Sequence, residues 1–320
     1  MRSPAAPFDG TASDGCGMPL RAIAVACGSL HTLALSSSGR VFSWGLEGLP
    51  QTGRRLAVRA PHPKRHAAEA RVPELRAIAA VAAGSFPSAA VSGKGRLYVF
   101  GDNGDGQLGL GRVGGAVHKP TRVPSLLSVP VRRVACGSHF TALIIEGGAL
   151  LTFGDNAHGQ LGHGGYESTC VPQPVRGLGG VPMMAVSCGY SHAVAQSSLG
   201  TLHAWGSNGS GERGNSDESG VSCPLPSQLP VFGTPGVEIL GISCGGYHTA
   251  AIIRVRRGLL PALAGSRAAE LLDEHTRVVA SSGAALPVSA RDAEAVSSPP
   301  TGAREARRGG ERKSHATTAE

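Results

Sequence analysis

The sequence predicts an all-β fold, a β-propeller-type repeat array of four-stranded blades, and three observations predict it. A small residue followed by glycine returns at Gly28, Gly84, Gly137, Gly189 and Gly245, spaced 56, 53, 52 and 56 residues apart. Each marker leads into two short apolar runs joined by a glycine-containing turn, the signal of a β-hairpin. The second run ends in an aromatic residue and a glycine, and a polar loop rich in further glycines follows. A drift of four residues in the repeat length is what one supersecondary unit with variable surface loops produces.

The copies can be taken in order. The first reads Val25-Ala-Cys27-Gly28-Ser-Leu-His31-Thr-Leu-Ala-Leu35, turns at Ser37-Ser38-Gly39 and resumes as Val41-Phe-Ser-Trp44-Gly45. The second has Val81-Ala-Ala83-Gly84, Ala89-Ala-Val91 and Leu97-Tyr-Val-Phe100-Gly101, then a loop through Gly106, Gly109 and Gly111. The third, Val131 to Gly164, is the most regular. Its runs Val134–Cys136, Phe140–Ile145 and Ala149–Phe153 precede Gly154, Gly159, Gly162 and Gly164, with Gly137 as its marker. The fourth carries Cys188-Gly189-Tyr-Ser-His192, Leu202-His-Ala-Trp205-Gly206 and a worn Gly211-Glu-Arg-Gly214. A partial fifth begins at Ile242-Ser-Cys244-Gly245-Gly-Tyr-His248 and runs to Ile253. Between copies, stretches such as Lys119-Pro-Thr-Arg-Val123 and Val171-Pro-Gln-Pro-Val175 read as short outer strands, because proline is tolerated at sheet edges.

Outside this pattern the chain changes character. Residues 1–20 read as a disordered segment without the apolar core of a signal peptide, which places the protein in the cytoplasm or nucleus. Residues 48–76 read as a basic insertion inside the repeat region 21–253, with a short helix near Ala67–Arg71. Residues 254–320 are a low-complexity tail of Ala, Ser, Pro, Gly, Arg and Glu, in which apolar spacing predicts one helix over 265–280. No apolar run is long enough to span a membrane as a helix.

Charge and cysteine usage narrow the chemistry. The net charge is +8. Residues 53–76 hold seven basic residues, among them Arg54, Arg55, Arg59, Lys64 and Arg65, which form a candidate basic contact for a partner. Residues 78–253 hold nine basic and nine acidic residues, a balance that argues against a nucleic-acid-binding face on the repeats. The seven cysteines are odd in number and form no CxxC pair, against both a disulfide framework and a zinc site.

Local motifs point to structure. Gly104-Asp-Gly106-Gln-Leu-Gly109 and Gly209-Ser-Gly211-Glu-Arg-Gly214 fit G-x-G-x-x-G, but a proline-containing strand follows where dinucleotide binding needs a helix. His31, His192 and His248 hold equivalent positions in separate copies, with His139 shifted by one and Pro87 in the second copy. Such histidines cannot converge on one metal, and a buried imidazole bridging backbone groups of neighbouring strands is expected. Cys27, Cys136, Cys188 and Cys244 read as small core residues before a tight glycine. No catalytic, cofactor or metal constellation is found.

The Cys-Gly-x-x-His cores, the aromatic-Gly strand ends and the Gly-Gln-Leu-Gly-x-Gly loops recur in register, and with them residues 23–253 resemble the regulator-of-chromosome-condensation repeat family. The resemblance implies a seven-bladed propeller. It also implies one of three roles: guanine-nucleotide exchange on a Ran-like small GTPase, protein interaction within larger ubiquitin ligases, or ultraviolet photoreception. The Gly-Trp-Arg-His-Thr-like segments of the photoreceptor are replaced here by Gly28-Ser-Leu-His-Thr and Gly245-Gly-Tyr-His-Thr, against photoreception. The expected function is a protein-interaction scaffold, with exchange activity as the alternative and contact with nucleic acid or chromatin through the basic stretches as a third role. Four complete units and a fragment do not close a seven-bladed ring, so either an incomplete product or an open array that needs a partner to cover its strand edges is expected.

Overall fold

The computed structural model describes residues 21–46, 50–52, 70–72, 75–215, 220–230, 236–255 and 278–280. Five sheets follow one another along the chain. The first pairs β1 (Ala22–Cys27), β2 (His31–Ser36), β3 (Val41–Gly45) and β4 (Ala70–Arg71) in that order. The second orders β5 (Ile78–Ala83), β6 (Pro87–Ser92), β7 (Leu97–Gly101) and β8 (Val117–Arg122) in the same way. The third contains β9 (Val131–Cys136), β10 (Phe140–Ile145), β11 (Leu150–Gly154) and β12 (Thr169–Pro174). The fourth contains β13 (Met183–Cys188), β14 (His192–Ser197), β15 (Leu202–Gly206) and β16 (Cys223–Leu229). All four are antiparallel meanders, as the apolar runs and glycine turns require. The proline-containing stretches are outer strands: β8, β12 and β16 each pair on one side only, where a missing N–H costs no ladder bond.

The fifth sheet departs from the pattern. Its strands β17 (Val237–Cys244) and β18 (Thr249–Val255) form the usual first hairpin. The place of the third strand is taken by β19 (Val278–Ala280), which runs parallel to β18 and pairs Val279 with Ile252. This corrects the end of the helix expected over 265–280. The β-branched pair Val278-Val279 meets the unpaired backbone groups of β18, and ladder bonds outweigh local helical spacing; residues 265–277 lie outside the described residues.

Two corrections fall in the segment read as an insertion. Ala70 and Arg71 form a strand rather than a short helix, because Phe42 and Ser43 of β3 offer an open sheet edge to them; residues 67–69 are outside the described set. Pro50–Thr52 form a 3-10 turn with Gln51 and Thr52 buried, so they are the first blade's own loop, in the place of Gly106 to Leu108. Val72 and Leu75 are fully buried in the core between the first two blades. Arg54, Arg55, Arg59, Lys64 and Arg65 lie outside the described residues, as do the segments 1–20 and 281–320 read as disordered.

The core lies between blades. Leu33, Leu35 and Val41 of the first blade pack on Ile78, Ala90 and Phe100 of the second. Leu97, Val99 and Leu108 meet Val131, Leu143 and Phe153. Phe140, Ile144 and Leu161 meet Met183, Ala193 and Trp205, and Leu202 and Ala204 meet Ile239, Ala251 and Ile253. Strand alternation explains this: successive side chains of each second strand point to opposite neighbours, so every blade is apolar on both faces. Each large side chain so buried contributes about 1.5–3 kcal/mol.

All five blades point the same way. At one end, the hairpins of the first three blades each accept a backbone bond from the start of the next: Ile78 N–H to Gly39 O (3.0 Å), Val131 N–H to Gly95 O (2.9 Å) and Met183 N–H to Gly148 O (2.8 Å). The other end carries the Cys-Gly turns, the aromatic-Gly strand ends and the glycine-rich loops.

Candidate functional site

The loop-bearing end is built from three layers of contact, and the marker glycines form the innermost. Gly28, Gly84, Gly137, Gly189 and Gly245 surround one cavity of about 250 Å³ at the mouth of the array, with Cys27, Cys136, Cys188 and Cys244 beside them. A Cβ built on Gly84 would collide with the carbonyl oxygen of Gly137, and one on Gly189 would lie 2.7 Å from the carbonyl oxygen of Gly245. The first four markers therefore leave room for the backbone of the following blade, and Gly245 leaves room for the His248 ring, a requirement for space rather than for unusual torsion. Cys136, Cys188 and Cys244 pack the same crowded ring, whereas Cys27, expected in the core, is exposed on the first blade, which has no preceding blade among the described residues to cover it. Burial pushes the Cys136 thiol up to about 12 and the Cys244 thiol up to about 11, and holds Cys188 well above the usual range. Such thiols stay protonated and inert at neutral pH.

The second layer is the histidine position. His31 and His192 are buried, and each bonds a hydroxyl of the next blade: His31 Nε2 to Ser88 Oγ at 2.6 Å, His192 Nε2 to Thr249 Oγ1 at 3.0 Å. Those hydroxyls donate in turn to the carbonyls of Gln51 (2.7 Å) and Glu212 (2.7 Å), back in the loop of the histidine's own blade. With the hydroxyl hydrogen so used, Nε2 is the protonated nitrogen. Burial lowers both imidazoles to about 4, so they are neutral at physiological pH. The expectation was a bridge between backbone groups; the first partner is a side-chain hydroxyl, and only the relay ends on backbone. His139, one position earlier in its turn, bonds Asp105 Oδ2 at 2.8 Å and packs on the Phe86 ring. His248 heads the last described hairpin and is exposed, with no following blade among the described residues to supply its hydroxyl.

The third layer is the glycine-rich loop. Gln107 Nε2 donates to Asp102 Oδ2 (2.9 Å) while its Oε1 accepts from Asp105 N–H (2.8 Å). Gln160 repeats this with Asp155 (2.7 Å) and His158 N–H (2.9 Å). In the worn fourth loop both partners change: Ser207 Oγ donates to Glu212 Oε1 (3.0 Å), and Ser210 N–H donates to Glu212 Oε2 (2.8 Å). A carboxylate stands in place of the amide and a hydroxyl in place of the carboxylate, donor and acceptor change sides, and the loop closes as before. Gly106, Gly109, Gly159 and Gly162 have φ between 67° and 78°. The loops seat on the next blade's aromatic residue: Gly109 lies against Phe153, and Gly162 against Trp205, whose Nε1 donates to Gln160 O at 2.8 Å. A strand follows each loop, so the G-x-G-x-x-G stretches are loop architecture.

The aromatic-Gly residues mark the same interfaces. Gly45, Gly101, Gly154 and Gly206 have φ of 139°, 118°, 116° and 94°, in the region that glycine tolerates best, and each faces a carbonyl of the preceding turn. Phe100, Phe153 and Trp205 are fully buried against the preceding blade, whereas Trp44 of the first blade is only half-buried.

Around the mouth, side chains stand free of this packing. Leu30, Tyr190 and Tyr247 are 47, 39 and 61 % exposed, and Phe86 and His139 are half-buried. Tyr190 and Tyr247 meet edge to face at 5.1 Å, each on a different blade. Sequence reading missed this rim because its residues occupy the two variable positions of the marker turn, where no pattern repeats. Among the described residues, no three His, Cys, Asp or Glu side chains converge as metal ligands, and no helix is long and apolar enough to cross a membrane.

Comparison with known proteins agrees with this architecture. A family model described as RCC1-like domain matches residues 16–251. Curated relatives include a probable E3 ubiquitin-protein ligase, HERC6, of Homo sapiens, 34 % identical over 71 % of this chain and 22 % of its own length. They also include the mitochondrial RCC1 domain-containing protein RUG3 of Arabidopsis thaliana, 33 % identical over 71 % of this chain and 51 % of its own. The Arabidopsis thaliana ultraviolet-B receptor UVR8 is 34 % identical over 71 % of this chain and 50 % of its own. The chain thus spans about half the length of these relatives or less. Among solved structures, yeast RCC1 (Prp20) bound to Kap60 superposes with a TM-score of 0.64 at 23 % identity, over 72 % of this chain and 53 % of that one. Human WBSCR16 gives 0.65 at 24 % identity, over 78 % and 62 %. Five blades in one orientation, stitched by marker glycines and glycine-rich loops, and a family match across most of the chain agree: the protein belongs to the RCC1-like domain family.

Proposed function

We propose that the protein is a non-enzymatic interaction scaffold that grips a protein partner with the loop-bearing rim. The observation that carries this reading is the exposure of Leu30 on the first blade's turn and of Tyr190 and Tyr247 on the adjoining turns of the fourth and fifth blades, at the end whose marker turns line one cavity. Exposed aromatic residues on rigid turns are the composition of interface hot spots, and their ordering entropy is already met by the blades beneath. The groups beneath the rim are poorly suited to chemistry: thiols held protonated and imidazoles held neutral by burial, each engaged in packing or in a bond between blades. Placing a photo-crosslinking side chain at Tyr247 tests the reading. Adducts with a discrete partner should form there and not from the same group at Val171, on the exposed outer strand β12; equal yields at both positions would contradict it.

A second reading is guanine-nucleotide exchange on a Ran-like GTPase, supported by the fold shared with Prp20p, a protein described by its binding to Gsp1p and histones. Exchange proceeds by displacing nucleotide with protein surface and needs no acid–base residue. A third, contact with nucleic acid or chromatin through the basic stretch Arg54 to Arg65, rests on charge alone. Cytoplasmic or nuclear placement accords with these readings, whereas RUG3 is mitochondrial.

A further inference from the structure

The equal numbers of acids and bases along the repeats conceal a separation that the fold creates. Asp102, Asp105, Asp155 and Glu167 follow third strands and so lie toward the loop-bearing end. Arg76, Lys94, Arg96, Arg132 and Arg133 sit at hairpins and first-strand starts, at the opposite end, where they outnumber the acids Glu146 and Glu238. There, between the second and third blades, Lys94, Arg132, Arg133 and Glu146 line a recess of about 340 Å³ together with Ala79, Ala80 and Val91. Arg132 already holds a carboxylate, that of Glu146, while Lys94 and Arg133 are exposed and have no acidic partner among the described residues.

We propose that this recess docks an acidic peptide segment of a protein partner. Glu146 on Arg132 shows the interaction within the chain itself: a carboxylate reaching from a hairpin to a first-strand cation. A second carboxylate entering beside it meets Lys94 and Arg133, and its aliphatic stem lies on the small apolar side chains. Arg76 and Arg96, on the same blade and at the same end, add positive charge that steers an anionic chain toward it. A peptide fits better than nucleic acid because the cations line one short recess; a phosphodiester backbone needs them strung along a groove. The recess lies at the end opposite the aromatic rim, so this site stands or falls independently of the scaffold reading.

Fluorescence anisotropy with the full chain tests it, using a short fluorescein-labelled peptide of alternating Glu and Gly, its Gln counterpart, and an oligothymidylate of matched charge. The Glu peptide should bind at physiological salt, more tightly than either comparison probe. Lys94→Glu with Arg133→Glu should weaken it about tenfold or more, and the milder K94Q/R133Q pair by less, while Arg112→Glu in a loop at the other end changes it by less than about twofold. Tighter binding of the oligothymidylate, equal binding of the Gln peptide, or unchanged binding by K94E/R133E would each overturn the proposal.

Discussion

His31 Nε2 lies 2.6 Å from Ser88 Oγ, and through that hydroxyl the first blade is tied to the second and back to its own loop at Gln51. The same relay joins His192, Thr249 and Glu212. Where the third blade has Phe140 instead of histidine, the next blade has Ala193 instead of a hydroxyl, and Trp205 takes over the loop carbonyl. Histidine and hydroxyl are present together at two interfaces and absent together at a third, whereas opposite Pro87 the hydroxyl of Thr141 remains and bonds the Gln107 carbonyl alone.

Ser88→Ala should therefore destabilise the chain by about 1–3 kcal/mol, because it leaves a buried imidazole N–H and the Gln51 carbonyl without their shared partner. The double variant H31F/S88A, which copies the Phe140 and Ala193 pairing, should recover part of that loss. Urea denaturation midpoints decide; equal loss in the single and double variants would contradict the relay.

The same histidines make stability depend on pH. Both are lowered by burial to about 4 from an ordinary 6.5, so the unfolded chain binds more protons than the folded chain between those values. Their contribution is fully present above pH 6.5 and is lost as pH falls toward 4. At about 1.4 kcal/mol per pKa unit it reaches about 3 kcal/mol for each, an upper figure for groups this deeply buried. Replacing His192 by Phe should flatten the decline measured by denaturation across this range.

Gly84 and Gly209 offer opposite outcomes for one substitution. A Cβ at Gly84 collides with the Gly137 carbonyl, whereas a Cβ at Gly209 meets nothing within 4 Å. Gly84→Ala should lower the thermal midpoint sharply or prevent folding. Gly209→Ala should leave it unchanged or raise stability by about 0.4–1 kcal/mol through the unfolded chain.

The fourth loop predicts a coupled pair. Glu212→Gln alone should destabilise, since Ser207 and the Ser210 N–H lose a charged acceptor. Adding Ser207→Asp restores the Asp–Gln arrangement of the second and third loops, and the double variant should be more stable than either single one. Additive losses in a double-mutant cycle would count against the exchange of roles.

Much of the fold was legible because the sequence repeats it. The marker glycines, aromatic-Gly ends and prolines each name a position that only one backbone environment accepts, and copies in register turn weak local signals into one architecture. The first loop was hidden because Pro50-Gln51-Thr52 shares only Gln51 with its sister loops, and β4 because Ala70-Arg71 pairs with a distant strand edge. The histidine partners were also beyond reach, since Ser88 and Thr249 lie in the next copy, 57 residues away. The basic recess was hidden for a similar reason: Lys94 comes from a hairpin and Arg133 from the next blade's first strand, and only the fold brings them to one recess.

The scaffold reading is tested most directly by release of fluorescently labelled GDP from a Ran-like GTPase in the presence of excess full chain. The account predicts release at the intrinsic rate of the GTPase, unaffected by the chain or by its Tyr190→Ala/Tyr247→Ala variant. Acceleration by the chain, abolished by that variant, would contradict it and make the rim an exchange surface.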